Sequence, residues 1–310
     1  MTSLFEDIAA GKSRAVARAI TLVENRDSRA QGLMRKVFLA GGKSLILGVT
    51  GAPGSGKSTL ADQLIEHYRR RSLQVGVVAV DPSSPFTGGA ILGDRIRMMR
   101  HSLDPGVFIR SMATRGHLGG LAKATGEAIA VYEAAGKHVV LVETVGVGQD
   151  EVEVVKLADI VLVVLTPGQG DDIQAFKAGI MEIADIFVLN KADSPGADML
   201  EKQLRAMLEL GHKDKDIPAV VRTVATEGKG TEELAGAVED FRRKSDGGLR
   251  EARKKRLIHW LLLDILQAKL FDLVSGGLPL QELEGYVEKI YRKESDPYTV
   301  ADSILARLKS

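Results

Sequence analysis

At 310 residues the chain has room for one full core of ordinary domain size, about 100 to 200 residues, with helical additions. Its 45% hydrophobic and 27% charged residues suit a globular protein, and a formal net charge of +1 supplies no long-range pull on polyanions, which argues against nucleic acid or anionic membrane as partner. The absence of cysteine removes disulfides, thiolate metal sites and thiol nucleophiles, leaving oxygen or imidazole to hold any metal; a hard cation such as magnesium fits.

The opening MTSLFEDIAAGK lacks a basic lead followed by a long apolar run, and no stretch approaches the roughly 18 apolar residues of a membrane span. A cytoplasmic location is expected, with an organelle matrix open because a removed transit peptide leaves no trace. Ala15, Val16, Ala19, Ile20 and Val23 have helical spacing, and Gly41-Gly42 is a stop signal, so residues 1–42 read as a helical leader. Six Val/Ile/Leu-rich runs then follow at 44–50, 75–81, 138–143, 160–166, 186–190 and 219–223. Continuously apolar strands imply a sheet covered on both faces. Helical segments such as 59–71 and 123–135 separate several of them, which predicts an α/β core over 43–228 with a mainly parallel sheet. In such sheets ligands bind at the carboxyl ends of the strands, where each motif below falls.

After Gly228-Lys229-Gly230 the strand pattern stops, and residues 229–310 read as a helical region. Its middle helix is apolar around much of its circumference (Leu257, Ile258, Trp260, Leu261, Leu262, Ile265, Leu266, Leu270, Phe271), wider than one core-facing stripe needs. Either the last helix of the tail or a second copy of the chain covers the other face.

Gly51-Ala52-Pro53-Gly54-Ser55-Gly56-Lys57-Ser58, followed by Thr59, has the phosphate-loop pattern between a predicted strand and a predicted helix. Its glycines let successive amides point at phosphates at the positive end of the helix. Lys57 is expected to reach the β and γ phosphates and the Ser58 hydroxyl to bind magnesium. Glu143, at a strand tip, suits a water-mediated contact to that ion, and Gly146 leaves an N–H for the γ phosphate. Asp81 and Asp94 are further metal candidates, with a turn or helix-start role as the alternative for each.

Asn190-Lys191-Ala192-Asp193 supplies a guanine reader: a carboxylate accepts from both N1–H and the 2-amino group, whereas adenine offers an acceptor at N1. The Lys191 stem can lie along the ring. Residues 82–93 and 167–177 suit loops that respond to the γ phosphate, or are ordinary surface loops. Lys177, Arg95 and Arg115 are alternative catalytic cations among which the sequence does not choose. The six histidines, at 67, 101, 117, 138, 212 and 259, have no metal-ligand spacing and read as structural or exposed. The basic run Arg250, Arg253, Lys254, Lys255 and Arg256 reads as a solvated helix face.

Taken together, GAPGSGKST, AVDPSSPFTGGAILGDRIRM, RSMATRGHLGGLA, VETVGVGQDEVEV and VLNKAD resemble the GTPase chaperones of adenosylcobalamin-dependent acyl-CoA mutases, the MeaB/ArgK/MMAA type. The likeness runs from Ala17–Arg26 to Asp296-Pro297-Tyr298, and the stretch from Asp81 to Asp94 is its most diagnostic part. It implies a P-loop NTPase fold of the SIMIBI type, GTP and GDP as ligands, and a magnesium shell of Ser58, Asp81, Asp94 and Glu143. Further implications are a client-sensing loop from Asp171 to Lys177, with Lys177 as transition-state cation, and a homodimer built by the C-terminal helices. The implied partner is methylmalonyl-CoA mutase or a relative, whose cofactor loading and repair GTP hydrolysis gates. A departure lies in the guanine-capping loop Val224-Ala225-Thr226, where many members carry Ser in place of Val224; the Ala225 N–H is still expected to meet the guanine oxygen. Competing readings are a nickel-delivery GTPase, which should carry a His or Cys cluster, and a small-molecule kinase, which needs an acceptor pocket.

Overall fold

The structure, a computed structural model, describes residues 3–81, 99–101, 103–113, 120–144, 157–168, 183–211, 217–245 and 248–308. The apolar runs form β1 (Leu45–Gly51), β2 (Val75–Asp81), β4 (Val139–Thr144), β5 (Ile160–Leu165), β6 (Ile186–Leu189) and β7 (Ala219–Arg222). One further strand, β3 (Val107–Ala113), has no counterpart among the predicted runs. Arg110 and Ser111 interrupt its apolar character, and as an edge strand it tolerates them: the Arg110 guanidinium pairs with Glu24 and donates to Thr21 Oγ1 at 3.3 Å.

The sheet order is β3-β2-β4-β1-β5-β6-β7, with every neighbouring pair parallel. β1 stands centrally, between β4 and β5, and the chain crosses from one half of the sheet to the other after β4. The switch point therefore lies at the carboxyl ends of β1, β4 and β5, where a ligand crevice is expected.

Alternation along the strands selects the two cores. Leu45, Leu47 and Val49 of β1, Val75 and Val77 of β2, Leu162 and Val164 of β5 and Ile186 and Val188 of β6 face α4 (Lys57–Arg70). That helix answers with Leu60, Ala61, Leu64, Ile65 and Tyr68, all buried at helical spacing; each fully buried Leu or Ile contributes about 1.5 to 3 kcal/mol. The opposite face is covered by α5 (Gly120–Ala134), against which the leader packs as α1 (Leu4–Ala9), α2 (Ser13–Glu24) and α3 (Ser28–Ala40). Tyr132 of α5 crosses below Gly76, where a Cβ would stand 2.9 Å from its ring, and its hydroxyl donates to Val77 O at 3.0 Å.

Past β6, α6 (Ala197–Gly211) precedes β7, and α7 (Thr231–Ser245) sends Leu234 and Val238 into the same core as α4. α8 (Leu249–Gly276) follows. The chain forms two compact units, Met1–Lys254 and Lys255–Ser310. In the second, α9 (Leu280–Tyr291) and α10 (Pro297–Leu308) accompany the rest of α8. Asp296 caps α10, accepting from the N–H groups of Tyr298 at 2.9 Å and Thr299 at 3.0 Å, and these bonds with the Thr299 hydroxyl hold its carboxyl below the usual range. Leu262, Leu266, Leu270 and Phe271 remain exposed on α8. Among the described residues no helix is long and apolar enough to cross a membrane.

The amino ends of the strands are tied by carboxylates. Asp159 accepts from Ile46 N at 3.0 Å, and Asp185 accepts from Val161 N at 2.8 Å. Arg253 meets both Asp185 oxygens at 2.7 Å, donates to Asp159 O at 2.5 Å and stacks over Phe241. The predicted solvated helix face is therefore corrected at this residue: Arg253 is a partly buried ion-pair partner.

Candidate functional site

β1 ends in a loop that only glycine can trace at two points. Gly51 has φ 145°, and a Cβ there would lie 2.2 Å from Val164 O. Gly56 has φ 91°, with a hypothetical Cβ 2.3 Å from Asn190 Nδ2. Between them Ala52 and Ser55 are buried while Pro53 and Gly54 are exposed, so the loop curls over the first turn of α4. Lys57, buried at the start of that helix, donates to Gly51 O at 2.8 Å and Ala52 O at 2.9 Å, spanning the loop it belongs to. Thr59 follows, half-buried.

One residue along, the Ser58 hydroxyl donates to Glu143 Oε1 at 2.6 Å, joining the phosphate-loop helix to the tip of β4; both residues are buried. Beside them Thr144 Oγ1 donates to Thr50 Oγ1 at 3.1 Å, locking β4 to β1. Asp81 closes β2 in register with Ala113, with β4 as the intervening strand between it and β1. Asp94, Gly146 and Lys177 lie outside the described residues, as do Arg95 and Arg115, the whole of 82–93 and all of 167–177 beyond Gly168. Ser58 and Glu143 offer oxygen donors alone, the chemistry a magnesium ion selects. Among the described residues no group of three or more His, Asp or Glu side chains gathers in a metal-holding arrangement.

The guanine motif is bolted directly onto this loop. Asn190 follows β6, is buried, and donates from Nδ2 to Ser55 O at 2.8 Å. Its Oδ1 accepts from Thr223 Oγ1 and from Ala225 N, both at 3.1 Å. Lys191, in a left-handed conformation with φ 54°, donates from Nζ to Gly54 O at 3.0 Å, and Ala192 N donates to Thr223 O at 3.1 Å. Asp193 is thereby held at the exposed rim. Val224, half-buried, pairs with Lys229 across a small bridge, and Thr226 is exposed at the rim. The Ala225 N–H is engaged by Asn190, so a guanine oxygen would have to share or displace that acceptor.

Thus the phosphate loop, Glu143, Asn190-Lys191-Asp193 and the Val224–Thr226 loop meet at the carboxyl ends of β1, β4, β5 and β6. Thr223, Thr50 and Thr144 were missed from sequence; the signal available was a hydroxyl residue closing an otherwise apolar strand. His101 is buried beside Asp62, and His138 Nδ1 accepts from Gln74 N at 3.0 Å, so these two histidines are structural, as their spacing suggested.

The sequence model of the family described as methylmalonyl Co-A mutase-associated GTPase MeaB matches residues 16–277. A putative GTPase of Pyrococcus abyssi is 51% identical, covering 98% of this chain and 96% of its own length. The GTPase ArgK of Escherichia coli is 40% identical over 81% of this chain and 79% of ArgK. Among solved structures, one described as an LAO/AO transport system kinase superposes with a TM-score of 0.70 at 27% identity, covering 99% of this chain and 97% of the other.

Proposed function

The chain belongs to the family of methylmalonyl-CoA mutase-associated GTPases of the MeaB type, and we propose that it is the GTP-hydrolysing chaperone of an adenosylcobalamin-dependent acyl-CoA mutase, gating loading and repair of that enzyme's cofactor. The observation that carries this reading is the family match over residues 16–277 joined to a phosphate loop and a guanine motif that touch through Asn190 and Ser55.

In this reading the backbone N–H groups of the loop from Gly51 to Thr59, Pro53 excepted, cradle the phosphates at the amino end of α4. Lys57 exchanges its bonds to Gly51 O and Ala52 O for phosphate oxygens, and Gly146 donates its N–H to the γ phosphate. Asp193 accepts from N1–H and the 2-amino group of guanine, Lys191 covers the ring, and the Val224-Ala225-Thr226 loop closes the base edge. Ser58, Asp81, Asp94 and Glu143 would hold magnesium, which when bound neutralises charge on the β and γ phosphates. Asp94 and Lys177 act in hydrolysis, with Lys177 stabilising charge in the transition state. Intrinsic turnover is slow and is raised when the client mutase engages the protein. A homodimer formed by the C-terminal helices is supported by Leu262, Leu266, Leu270 and Phe271, an exposed apolar row that solvent alone would leave uncovered.

The test is GTP hydrolysis by the purified protein alone and with each candidate adenosylcobalamin mutase, with ATP as control nucleotide. Stimulation by one mutase with ATP inert establishes client and role together. Full-speed turnover without any partner overturns the gating reading, and phosphoryl transfer to an amino acid in place of water would move the protein to the kinase class.

A further inference from the structure

The contact between β1 and β4 is apolar until its last step. Its register runs Leu45↔Val139, Ile46↔Val140, Leu47↔Leu141, Gly48↔Val142 and Val49↔Glu143. One residue further along both strands, Thr144 Oγ1 donates to Thr50 Oγ1 at 3.1 Å, and the two residues are 0% and 2% exposed. On its other flank β4 keeps register with β2 as far as Val80↔Thr144. Between β4 and β1, therefore, a side-chain bond takes over where the paired backbone ends. Side chains alternate along a strand, so the two hydroxyls stand on the opposite face of the sheet from Val49, which packs toward α4, and from Glu143, which meets Ser58 of that helix. Each threonine is also the chain neighbour of a site residue: Thr50 of Gly51, whose carbonyl accepts from Lys57, and Thr144 of Glu143.

Two valines would fill these positions and continue the apolar steps before them. Burying two hydroxyls costs free energy that a bond between them offsets with little net gain. What the pair adds over valines is therefore geometry: it sets the distance between the tip of β4 and the root of the phosphate loop. The ligand crevice opens at this step, and the Ser58–Glu143 bond spans it at 2.6 Å. The two bonds, one on each face of the sheet, bracket the tip of β4. We propose that the Thr144–Thr50 bond is a positioning element for GTP hydrolysis: by tying β4 to β1 it keeps the Glu143 carboxylate at the Ser58 hydroxyl and so sets how tightly the site takes magnesium. Neither threonine touches nucleotide or metal in this role. The inference rests on the proposed reading of Ser58 and Glu143 as magnesium holders.

The experiment compares full-length wild type, Thr144→Val, Thr144→Ser, Thr50→Val, the double valine variant and Glu143→Gln. Each is followed by magnesium titration of GTP turnover, calorimetric GDP binding in magnesium and in EDTA, and thermal unfolding. Thr144→Val keeps the shape and removes the hydroxyl; Thr144→Ser keeps the hydroxyl and trims the methyl. Thr50→Val breaks the same bond from the other strand and serves if Thr144→Val does not fold. The expected result for Thr144→Val is about a fivefold lower kcat, about a fivefold higher half-saturating magnesium and about a fivefold smaller gain in GDP affinity on adding magnesium, the worth of one such bond. KM for GTP and GDP affinity in EDTA stay within about twofold. Thr144→Ser stays within about twofold of wild type throughout, and the double valine variant is no worse than Thr144→Val, since both remove one bond. A lower unfolding temperature with kcat and magnesium response unchanged would make the pair structural only and overturn the proposal. Thr144→Ser as impaired as Thr144→Val would assign the effect to packing and overturn it too. If Glu143→Gln shifts the magnesium response and the threonine variants do not, the positioning role alone fails. If Glu143→Gln shifts nothing, the magnesium reading fails and the inference falls with it.

Discussion

Replacing Arg253 by Met should loosen the amino ends of β5 and β6 together. The guanidinium meets both oxygens of Asp185 at 2.7 Å and the carbonyl of Asp159 at 2.5 Å. Asp185 is 8% exposed as a side chain and Arg253 21%. Removing one partner of a fully buried pair costs about 3 to 5 kcal/mol, because the other charge is stranded. Two features lower that figure: Arg253 keeps some water, and Asp185 retains Val161 N–H at 2.8 Å. A loss of about 2 to 3 kcal/mol follows, roughly 30- to 160-fold in the folded-to-unfolded ratio. The single tryptophan, Trp260, lies in the second unit, so its fluorescence is the wrong probe. Amide exchange read at Val161 and Asp185 along a urea titration reports the first unit. The double variant Arg253→Met/Asp185→Asn should lose less than the sum of the single variants by at least about 1 kcal/mol, since each alone strands its partner. A single variant within about 0.5 kcal/mol of wild type, or strict additivity, would refute the argument.

Asp193→Asn should turn preference from GTP to XTP, since an amide can donate to a 2-oxo group; competition binding of the two nucleotides checks it, and retained GTP preference would remove Asp193 as base reader. Ser58→Ala removes the hydroxyl now 2.6 Å from Glu143 and should raise the magnesium needed for half-maximal turnover by about tenfold while nucleotide binding in EDTA persists. Gly56→Ala forces a side chain to within 2.3 Å of Asn190 Nδ2 at φ 91°, so GDP affinity should fall by at least about a hundredfold in equilibrium titration. Burial, then the nearby Arg69 guanidinium, pulls Lys137 from its ordinary 10.5 to about 8. Between those values the unfolded chain holds a proton the native protein has released, so this lysine's destabilising contribution is full below about pH 8 and fades as pH rises toward 10.5. The stability of Lys137→Met relative to wild type should therefore fall as pH is raised from about 7 to about 10 in urea titrations, and a flat difference would contradict the assignment.

Five strands were legible because each is an interior run whose two faces are both apolar; β7, at the sheet's other edge and partly exposed, was legible only from its short Ala-Val-Val run. β3 was not, because an edge strand with Arg110 facing the leader satisfies a different rule: its polar residues are paired locally with Glu24 and Thr21. The helix following the guanine motif, α6, was likewise passed over; Ala197, Leu200, Leu204 and Leu208 give it a buried stripe, while exposed Met199, Met207 and Leu210 blur the period. The phosphate-loop and Asn-Lys-x-Asp patterns stand out in the sequence because they set fixed residue types at fixed spacing, and the structure brings the two segments into contact through Asn190 and Ser55. Arg253 was unreadable because its partners, Asp159 and Asp185, stand 94 and 68 residues away in sequence. Asp62 was hidden for a related reason: an acid within a helix of mixed composition looks solvated until the turn at Arg100 and His101 is brought onto it.

Asn190 explains why base reading and phosphate binding need not be independent events in this site. Its amide spans three segments: the phosphate loop through Ser55 O, the end of β7 through Thr223 and the capping loop through Ala225. A buried amide with donor and acceptor both engaged resists displacement, since leaving either side unpaired costs about 1 to 3 kcal/mol. On the proposed reading, a guanine oxygen that recruits the Ala225 N–H would share or displace Asn190 Oδ1, which keeps Thr223 Oγ1, while Asn190 Nδ2 stays on Ser55 O of the phosphate loop. If that reading holds, a change at the base edge would reach the phosphate loop through the Asn190 side chain, which touches both.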